Sequence, residues 1–354
     1  YKKISFKISD IDPNLFWIED KKKDSEQLNK FLWLNLIDRK TDGKNIKKII
    51  YIWMLKNSKY KKDIWKTSTL SARITSWILN IDIVLDNATF DFKRSFLNCI
   101  ISQINHLKRN IKFEKDYLIK IEILTTLILS GLIFKEYEEN YRLGIKELEN
   151  HIKNLFDNDG FPLSRNPNDL YFSTKYLIFC KEIIKDAQIY IPEFLDNIIE
   201  KNLACLNFIK CPNNQLPLFN GASENLLDQV DEYLSALSKK RNTENVMGGL
   251  FRLKQKNHIV FFDVGSPPKK GFSKCYQSGP LSFEYFLEGE KIISNSGFGD
   301  NISSKAILLS RLTACQSTLT LNDTSVSKFE RNKLINKIFG NSIKDNFKTY
   351  NLNI

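Results

Sequence analysis

The fold class is decided by residues 277–324, QSGPLSFEYFLEGEKIISNSGFGDNISSKAILLSRLTACQSTLTLNDT. Apolar and polar residues alternate over Leu281–Phe286 and Lys291–Ser294, which is the pattern of half-buried β-strands. Glycine and proline residues separate these runs and predict turns between strands. Ser317–Leu321 alternates in the same way and is predicted as a further strand.

The chain before this stretch has helical periodicity instead. Apolar residues recur at helical spacing from Leu28 onwards, and the almost continuous apolar run at 116–133 predicts a buried helix. Asp157-Asn158-Asp159-Gly160 predicts a tight turn. Roughly eight helices with short connections predict antiparallel neighbours, and an α/α toroid and an α-solenoid fit this pattern equally well.

A polar linker at Lys239–Asn245 separates the two patterns, and Gly249–Lys254 and Ile259–Val264 are the first strands after it. We therefore expect two domains, a helical domain at 1–240 and a strand domain at 246–354. Four or five short strands do not close a sandwich. The predicted class is α+β and multidomain, with an incomplete N-terminal α/α toroid followed by a truncated antiparallel β-sandwich.

Composition limits the function classes. A formal net charge of +12 favours an anionic partner, although abundant lysines on solvated helix faces give the same total. The sequence contains no GxGxxG or GxxxxGK[ST] motif, so a nucleotide phosphate loop is unsupported. Three histidines argue against a histidine-rich metal site, and six cysteines without CxxC predict free thiols. We see no signal peptide, and the longest apolar run is too short to span a bilayer.

Several motifs together resemble heparinase II/III-type proteins. The motifs are LPLFNGASE (216–224), DVGSPP (263–268), SGPLSFEYFLEGEKIISNSG (278–297), RLTACQSTLTLNDTS (311–325), WKTSTLSARITSWIL (65–79) and DNDGFPLSRNP (157–167). The resemblance implies an α/α toroid joined to a β-sandwich, and it implies a lyase for acidic polysaccharides located in the cell envelope or periplasm. The family's chains continue well past the equivalent of residue 354, which agrees with the expected truncation.

The resemblance also implies catalytic residues. β-Elimination on a uronate needs a group that neutralises the carboxylate, a base for the C5 proton and an acid for the leaving oxygen. Asp116-Tyr117 stands where the family often has Asn-His, and Pro162 replaces a histidine of its cleft loop. Tyr117, Arg165 and Tyr171 are the predicted catalytic residues, with Arg165 pairing with the uronate.

The resemblance implies further residues for the substrate, namely Asp116, Asn220, Gln277, Arg311 and Gln316. Arg311 is expected in a strand. Family members often hold a metal ion in the sandwich through histidine and aspartate. Gln277, Asn295 and Gln316 stand at those positions here, and amides are poor zinc ligands. We expect no zinc and no other cofactor.

Two interpretations remain open from the sequence. In the first, the chain is a lyase for an acidic glycan. In the second, it is a catalytically decayed protein of the same fold that binds the glycan, because the residues at the family's site are substituted. A nucleic-acid binder is a third and weaker reading, since no basic motif accompanies the charge. The structural alternatives are packed tyrosines at 117 and 171, a solvated Arg165, and glutamines 277 and 316 that bridge each other.

Overall fold

The structure is a computed structural model of the chain, and it consists of helices followed by antiparallel strands. It describes residues 17, 22–37, 43–57, 59–224, 227–237, 245–320, 322, 324–331 and 343–349. Residues 1–16 and 18–21, and residues 239–244 of the predicted linker, lie outside the described residues. The chain divides into two compact units, the first comprising residues 1–150 and 179–190 and the second residues 151–178 and 191–354.

The helices occupy most of the chain up to residue 237. They are α1 (Lys22–Asn29), α2 (Gly43–Asn57), α3 (Thr67–Leu79), α4 (Ile81–Leu85), α5 (Phe90–Asn110), α6 (Tyr117–Ile133), α7 (Glu138–Lys153), α8 (Pro167–Asp186), α9 (Glu193–Ile209) and α10 (Asp231–Leu237). None of the described helices is long and apolar enough to cross a membrane.

The first unit has its core around α3 and α6. The indole rings of Trp53 and Trp77 meet edge to face with centroids 5.3 Å apart, and Phe31 contacts both rings. The helix α6, predicted from its apolar run, is buried from Ile121 to Gly131. Its apolar surface on nearly all sides explains this burial, because such a helix has no face suited to water.

The second unit carries the strands. They are β1 (Val246–Met247), β2 (Leu250–Gln255), β3 (His258–Asp263), β4 (Phe283–Leu287), β5 (Glu290–Ile293), β6 (Ser327–Arg331) and β7 (Ile343–Thr349). The first five form an antiparallel sheet in sequence order, and β6 pairs with β7 in a separate two-stranded sheet. In β4 the strand alternation places Glu284 and Phe286 on the buried face.

The predicted α+β class is confirmed, with helices first and antiparallel strands second. Two local predictions are wrong, namely the strand at Ser317–Leu321 and the strand position of Arg311. Ser317–Thr320 is not a strand, because the hydroxyl groups of Ser317 and Thr318 bond the carbonyl oxygens of Phe283 and Pro280. A short helix, α11 (Ser304–Ser310), was not predicted. Arg311 is consequently the residue that ends a helix, and it does not lie in a strand.

Candidate functional site

A tight loop in the second unit presents Arg165. The Asp157 carboxylate accepts hydrogen bonds from the backbone N–H groups of Phe161 at 2.8 Å and Asp159 at 3.0 Å, which closes the predicted turn. Burial raises the pKa of Asp157, and these N–H groups oppose that rise. Gly160 has a φ of 90°, a conformation that glycine adopts without strain.

Arg165 follows this loop in a left-handed conformation, with φ 56°, and its side chain is buried. The guanidinium Nε donates to Gly248 O at 3.1 Å. Nη1 donates to Gly265 O at 3.0 Å and Ser266 O at 2.9 Å, and Nη2 donates to Gly249 O at 3.0 Å and to the Asp263 carboxylate. A guanidinium has five N–H donors, so protein acceptors use them all. The predicted pairing of Arg165 with a uronate would require breaking one of these bonds.

Two glycines make room for this arrangement, and we call the group Arg165, Asp263, Gly249 and Gly265 the arginine socket. A Cβ atom at Gly249 would lie 2.7 Å from Nε of Arg165, and one at Gly265 would lie 2.5 Å from its Cζ. Real Cβ atoms do not approach other atoms so closely, and the neighbour here is a held guanidinium. The backbone therefore reaches the arginine only because both positions lack a side chain.

Asp263 is the one carboxylate that bonds Arg165 among the described residues, and it is buried at the end of β3. Burial raises the pKa of Asp263. Arg165, the Gly265 N–H and the Asn220 side chain oppose that rise. Asn220, a predicted substrate residue, thus lies beside the socket, with φ 55° and its side chain buried.

A cavity of about 310 Å³ opens beside the socket, and we call it the Arg165 cavity. Its wall combines the loop before Arg165 with the segment after β3, and its lining includes Asp157, Pro162, Leu163, Arg165, Gly249, Gly265, Pro267, Pro268, Lys269 and Phe272. Lys269 and the next residue, Lys270, are exposed. Lysine ammonium groups beside aromatic and proline surface suit an anionic ligand with an apolar face.

The three predicted amide positions also lie in the second unit. Gln277 and Gln316 both donate from Nε2 to the carbonyl oxygen of Ser310, at 2.8 and 2.7 Å. The glutamines therefore share one backbone acceptor, which differs from the predicted bridge of one glutamine to the other. Asn295 accepts from the N–H of Ser317 at 3.0 Å, next to Gln316.

Arg311 is buried and directly follows Ser310. Its Nε donates to Tyr276 O at 2.9 Å and its Nη2 donates to Ser273 O at 3.3 Å. The carbonyl oxygen of Gly297 accepts from Gln277, whose Oε1 accepts from Gly221, next to Asn220. The structure thus connects Arg165, Asn220, Gln277, Arg311 and Gln316 through neighbouring segments.

Tyr171 lies away from that chain of contacts. It is a buried residue of α8, and its hydroxyl accepts from the backbone N–H of Gln229 in a later segment. The Nζ atom of Lys175 lies 6.0 Å from the centroid of its ring. Burial raises the pKa of Tyr171, and Asp228 and Asp231 add to the rise. A raised pKa moves the tyrosine further from the neutral range in which proton transfer is efficient, so it favours neither an acid nor a base role for Tyr171.

Asp116 and Tyr117 lie in the first unit. Asp116 is the N-cap of α6, and its Oδ1 accepts from the N–H groups of Leu118 at 3.1 Å and Ile119 at 3.3 Å. An aspartate in this position satisfies two helix-end donors and complements the helix dipole. Tyr117 is half-buried in the first turn of the same helix.

Sequence reasoning missed Asp263, Gly249 and Lys269 as members of one site. Gly248-Gly249 and the segment Gly265–Lys270 carried a signal, because adjacent glycines and a Gly-Ser-Pro-Pro-Lys-Lys run indicate close backbone approach and a basic loop. The groups in these segments that accept from Arg165 are mostly backbone carbonyls. No side-chain pattern could therefore identify Arg165 as their partner.

Known structures share this fold. Residues 240–352 match the family described as "Heparinase II/III-like, C-terminal". A comparison with curated proteins gave no match. A crystal structure of heparinase III has TM-score 0.68 and 14% identity, over 88% of this chain and 56% of that one. Heparan sulfate lyase HepC from Pedobacter heparinus has TM-score 0.63 and 18% identity, over 90% and 57%.

A second heparinase III has TM-score 0.68 and 18% identity, covering 91% of this chain and 60% of its own. The chain thus spans less than two thirds of the length of each of these structures. At such identities the structural likeness concerns the fold. The described fold is thus that of heparinase III structures, and residues 240–352 match the family described as "Heparinase II/III-like, C-terminal".

Proposed function

We propose that this heparinase II/III-like chain binds an acidic, uronate-containing polysaccharide at the Arg165 cavity. The observation that carries the proposal is the exposed Lys269 on the lining of that cavity, next to Pro267, Pro268 and Phe272. Lysine ammonium groups attract carboxylates and sulfates, and flat apolar side chains cover the faces of sugar rings. The net charge of +12 favours the approach of such a polyanion.

The lysines, and not Arg165, are the groups available for the glycan's charge. All five N–H donors of Arg165 bond protein acceptors, whereas Lys269 and Lys270 are exposed. Arg165 then has a supporting role, because it holds the cavity wall in shape through the arginine socket. Because the wall is already ordered before binding, less conformational entropy is lost when the ligand binds.

The binding test compares two double variants of the full chain. Lys269→Ala with Lys270→Ala removes two charges at the cavity, and Lys254→Ala with Lys305→Ala removes two exposed charges elsewhere in the same unit. Heparan sulfate is a reasonable first probe, because a structural neighbour is a heparan sulfate lyase. We expect roughly fivefold to tenfold weaker binding for the cavity variant and at most about a twofold change for the control.

Salt and a competitor complete the binding test. Binding should weaken as salt rises, since exposed charges are screened. Duplex DNA should not displace the glycan, and displacement would instead favour the nucleic-acid reading. If the cavity variant and the control bound the glycan equally well, the Arg165 cavity would not be the binding site. A location in the cell envelope or periplasm stays a prediction from the family resemblance.

The second candidate function is β-elimination on the same class of glycan, and it is supported by the likeness to heparinase III structures. In this reaction a base takes the uronate C5 proton, the C4–O bond to the neighbouring sugar breaks, and an acid protonates the leaving oxygen. The family resemblance implies Tyr117 and Tyr171 as candidates for these proton transfers, with Tyr117 able to act as base or acid. Asp116 would repel a uronate while it is ionised.

Ultraviolet absorbance of the unsaturated uronate product separates the two candidates. The full chain is incubated with heparan sulfate and other uronate polysaccharides, and Tyr117→Phe is the matched variant. Product from the wild type that disappears with Tyr117→Phe would support the lyase. Binding to the polysaccharides without product from any of them would support a glycan-binding protein and contradict the lyase. In that case Asp116→Asn combined with Tyr117→His tests whether the family's residues restore elimination.

A further inference from the structure

Three amide side chains of the second unit, Gln277, Asn295 and Gln316, form what we call the amide cluster. Two of them meet at the C-terminal end of α11. The carbonyl oxygen of Ser310 accepts from Gln277 Nε2 at 2.8 Å and from Gln316 Nε2 at 2.7 Å. Carbonyls in the last turn of a helix lack partners within the helix, and both lone pairs of this one are used.

Gln277 also joins two other segments. Its Oε1 accepts from the N–H of Gly221 at 3.0 Å, and its Nε2 donates to Gly297 O at 2.9 Å. The residue is only 2% exposed, so these bonds are shielded from water. One side chain therefore connects the segment at 221, the turn at 297 and the end of α11.

Asn295 extends the cluster towards the sheet. Its Oδ1 accepts from the N–H of Ser317 at 3.0 Å, and the Ser317 hydroxyl oxygen also lies 3.0 Å from it. Its own backbone N–H donates to Oε1 of Glu284 at 3.1 Å. Glu284 is fully buried in β4 and has Lys291 Nζ at 3.5 Å as its ionic partner. The negative charge next to the cluster is thus balanced by a lysine of the same unit.

The amide cluster occupies the positions where the family resemblance implies histidine and aspartate ligands for a metal ion, and its residues do not fit one. Zinc takes lone pairs from thiolate, imidazole or carboxylate groups. The Nε2 of an amide offers no lone pair, and both Nε2 atoms already donate to Ser310 O. Over the described part of the chain, no three His, Cys, Asp or Glu residues are grouped so as to hold a metal.

We propose that the amide cluster is itself the brace of the second unit and that this unit is stable without a metal ion. Hydrogen bonds donated by Gln277 and Gln316 and accepted by Gln277 and Asn295 do the joining that coordination bonds would otherwise do. The proposal concerns stability, and it holds whether the chain cleaves a glycan, binds one or does neither.

The first test measures the melting temperature of the full chain in excess EDTA, in zinc and in calcium. Ligands that bind only the folded state raise its stability, and their removal lowers it. We expect all three melting temperatures to agree within about 1 °C. A loss of several degrees in EDTA, or a gain in zinc or calcium, would overturn the proposal.

The second test removes the central amide. Gln277→Ala strands the N–H of Gly221 and the carbonyl of Gly297, and buried groups without partners are costly. We expect its melting temperature to fall by about 5 °C or more, and zinc should not restore it. The matched control is Gln255→Ala, an exposed position in β2, for which we expect a change within about 1 °C.

A milder variant keeps the test decisive if Gln277→Ala does not fold. Gln316→Ala removes the bond to Ser310 O and leaves Gln277 in place. We expect a fall of about 2–4 °C, unchanged by EDTA. The amides would not be the brace if both glutamine variants melted at the wild-type temperature. The same conclusion would follow if zinc restored the melting temperature of either variant.

Discussion

Two arginines, one in each unit, are buried in different ways. Arg73 in α3 donates from Nε to the Gln103 side chain at 2.7 Å and from Nη1 to Asn29 O at 2.9 Å, and its guanidinium lies 4.5 Å from the ring centroid of Trp53. Arg165 donates to four backbone carbonyls and to the Asp263 carboxylate. The first environment is neutral, whereas the second is ionic.

The electrostatics follow from that difference. Burial lowers the pKa of Arg73 to about 9, because carbonyl dipoles and an aromatic face replace water only in part. In the socket the ionic partner lets both charges stay buried. Buried arginine side chains thus have a structural role in both units. Burial of a charged group alone therefore does not identify a functional residue.

Arg165→Met should give the largest loss of stability. The substitution leaves the Asp263 carboxylate buried without its partner and frees four carbonyls, so we expect a loss of about 3–5 kcal/mol in the free energy of unfolding. Denaturant unfolding followed by fluorescence measures this loss. Arg142→Met is the matched control, because Arg142 is exposed and forms a surface ion pair with Glu138, and it should cost less than about 0.5 kcal/mol.

Arg73→Met should cost less. No carboxylate is stranded, and methionine retains part of the stem packing against Trp53, while Gln103 and the carbonyls of Asn29 and Ile64 lose a donor. We expect a loss of about 1–3 kcal/mol, measured by the same unfolding experiment. A loss equal to that of Arg165→Met would mean that the anionic partner does not distinguish the two arginines.

Asp263→Asn makes the socket resemble the neutral surroundings of Arg73, because an amide oxygen at this position can still accept from the guanidinium, and we expect a loss of only about 1 kcal/mol at neutral pH. The pH dependence is the sharper readout. Burial raises the folded-state pKa of Asp263, so the folded wild type takes up a proton more readily than the unfolded chain. Its stability relative to the variant should therefore increase as pH falls from neutral towards about 3.9.

The opposite slope is expected at Asp231, a half-buried aspartate of the same unit. A hydrogen bond from Lys210 lowers the pKa of Asp231, so its contribution is lost as pH falls. Wild type compared with Asp231→Asn should become relatively less stable in acid. If both comparisons gave the same slope, burial would not govern the titration of Asp263.

Sequence patterns predicted the long elements well. The apolar run that became α6 and the alternation that became β3 and β4 each extend over enough residues for their period to be recognised. The helix α11 has seven residues, too few for a helical period to stand out, and the Ser303 hydroxyl that accepts from the N–H of Ala306 fixes its start.

The candidate site was predictable only in part. Arg165 was identified because it lies in a loop with glycine and proline, but its acceptors lie 83 to 101 residues further along the chain. Those acceptors are mostly backbone carbonyls, which every residue has. Gln277 and Gln316 were expected to bridge, whereas their common partner, the Ser310 carbonyl, depended on a helix that was not predicted.

The glycines of the arginine socket make residues distant in the sequence depend on one another. Gly265 contributes only empty space, and the amount it must leave is set by the size of the group at position 165. Gly249 leaves space too, and it also holds a φ of 72° that other residues adopt only with strain. In a complete substitution map both columns would tolerate almost nothing while arginine is present. A shorter residue at 165 would relax position 265 and leave position 249 restricted to glycine, so only positions 165 and 265 would change together during evolution.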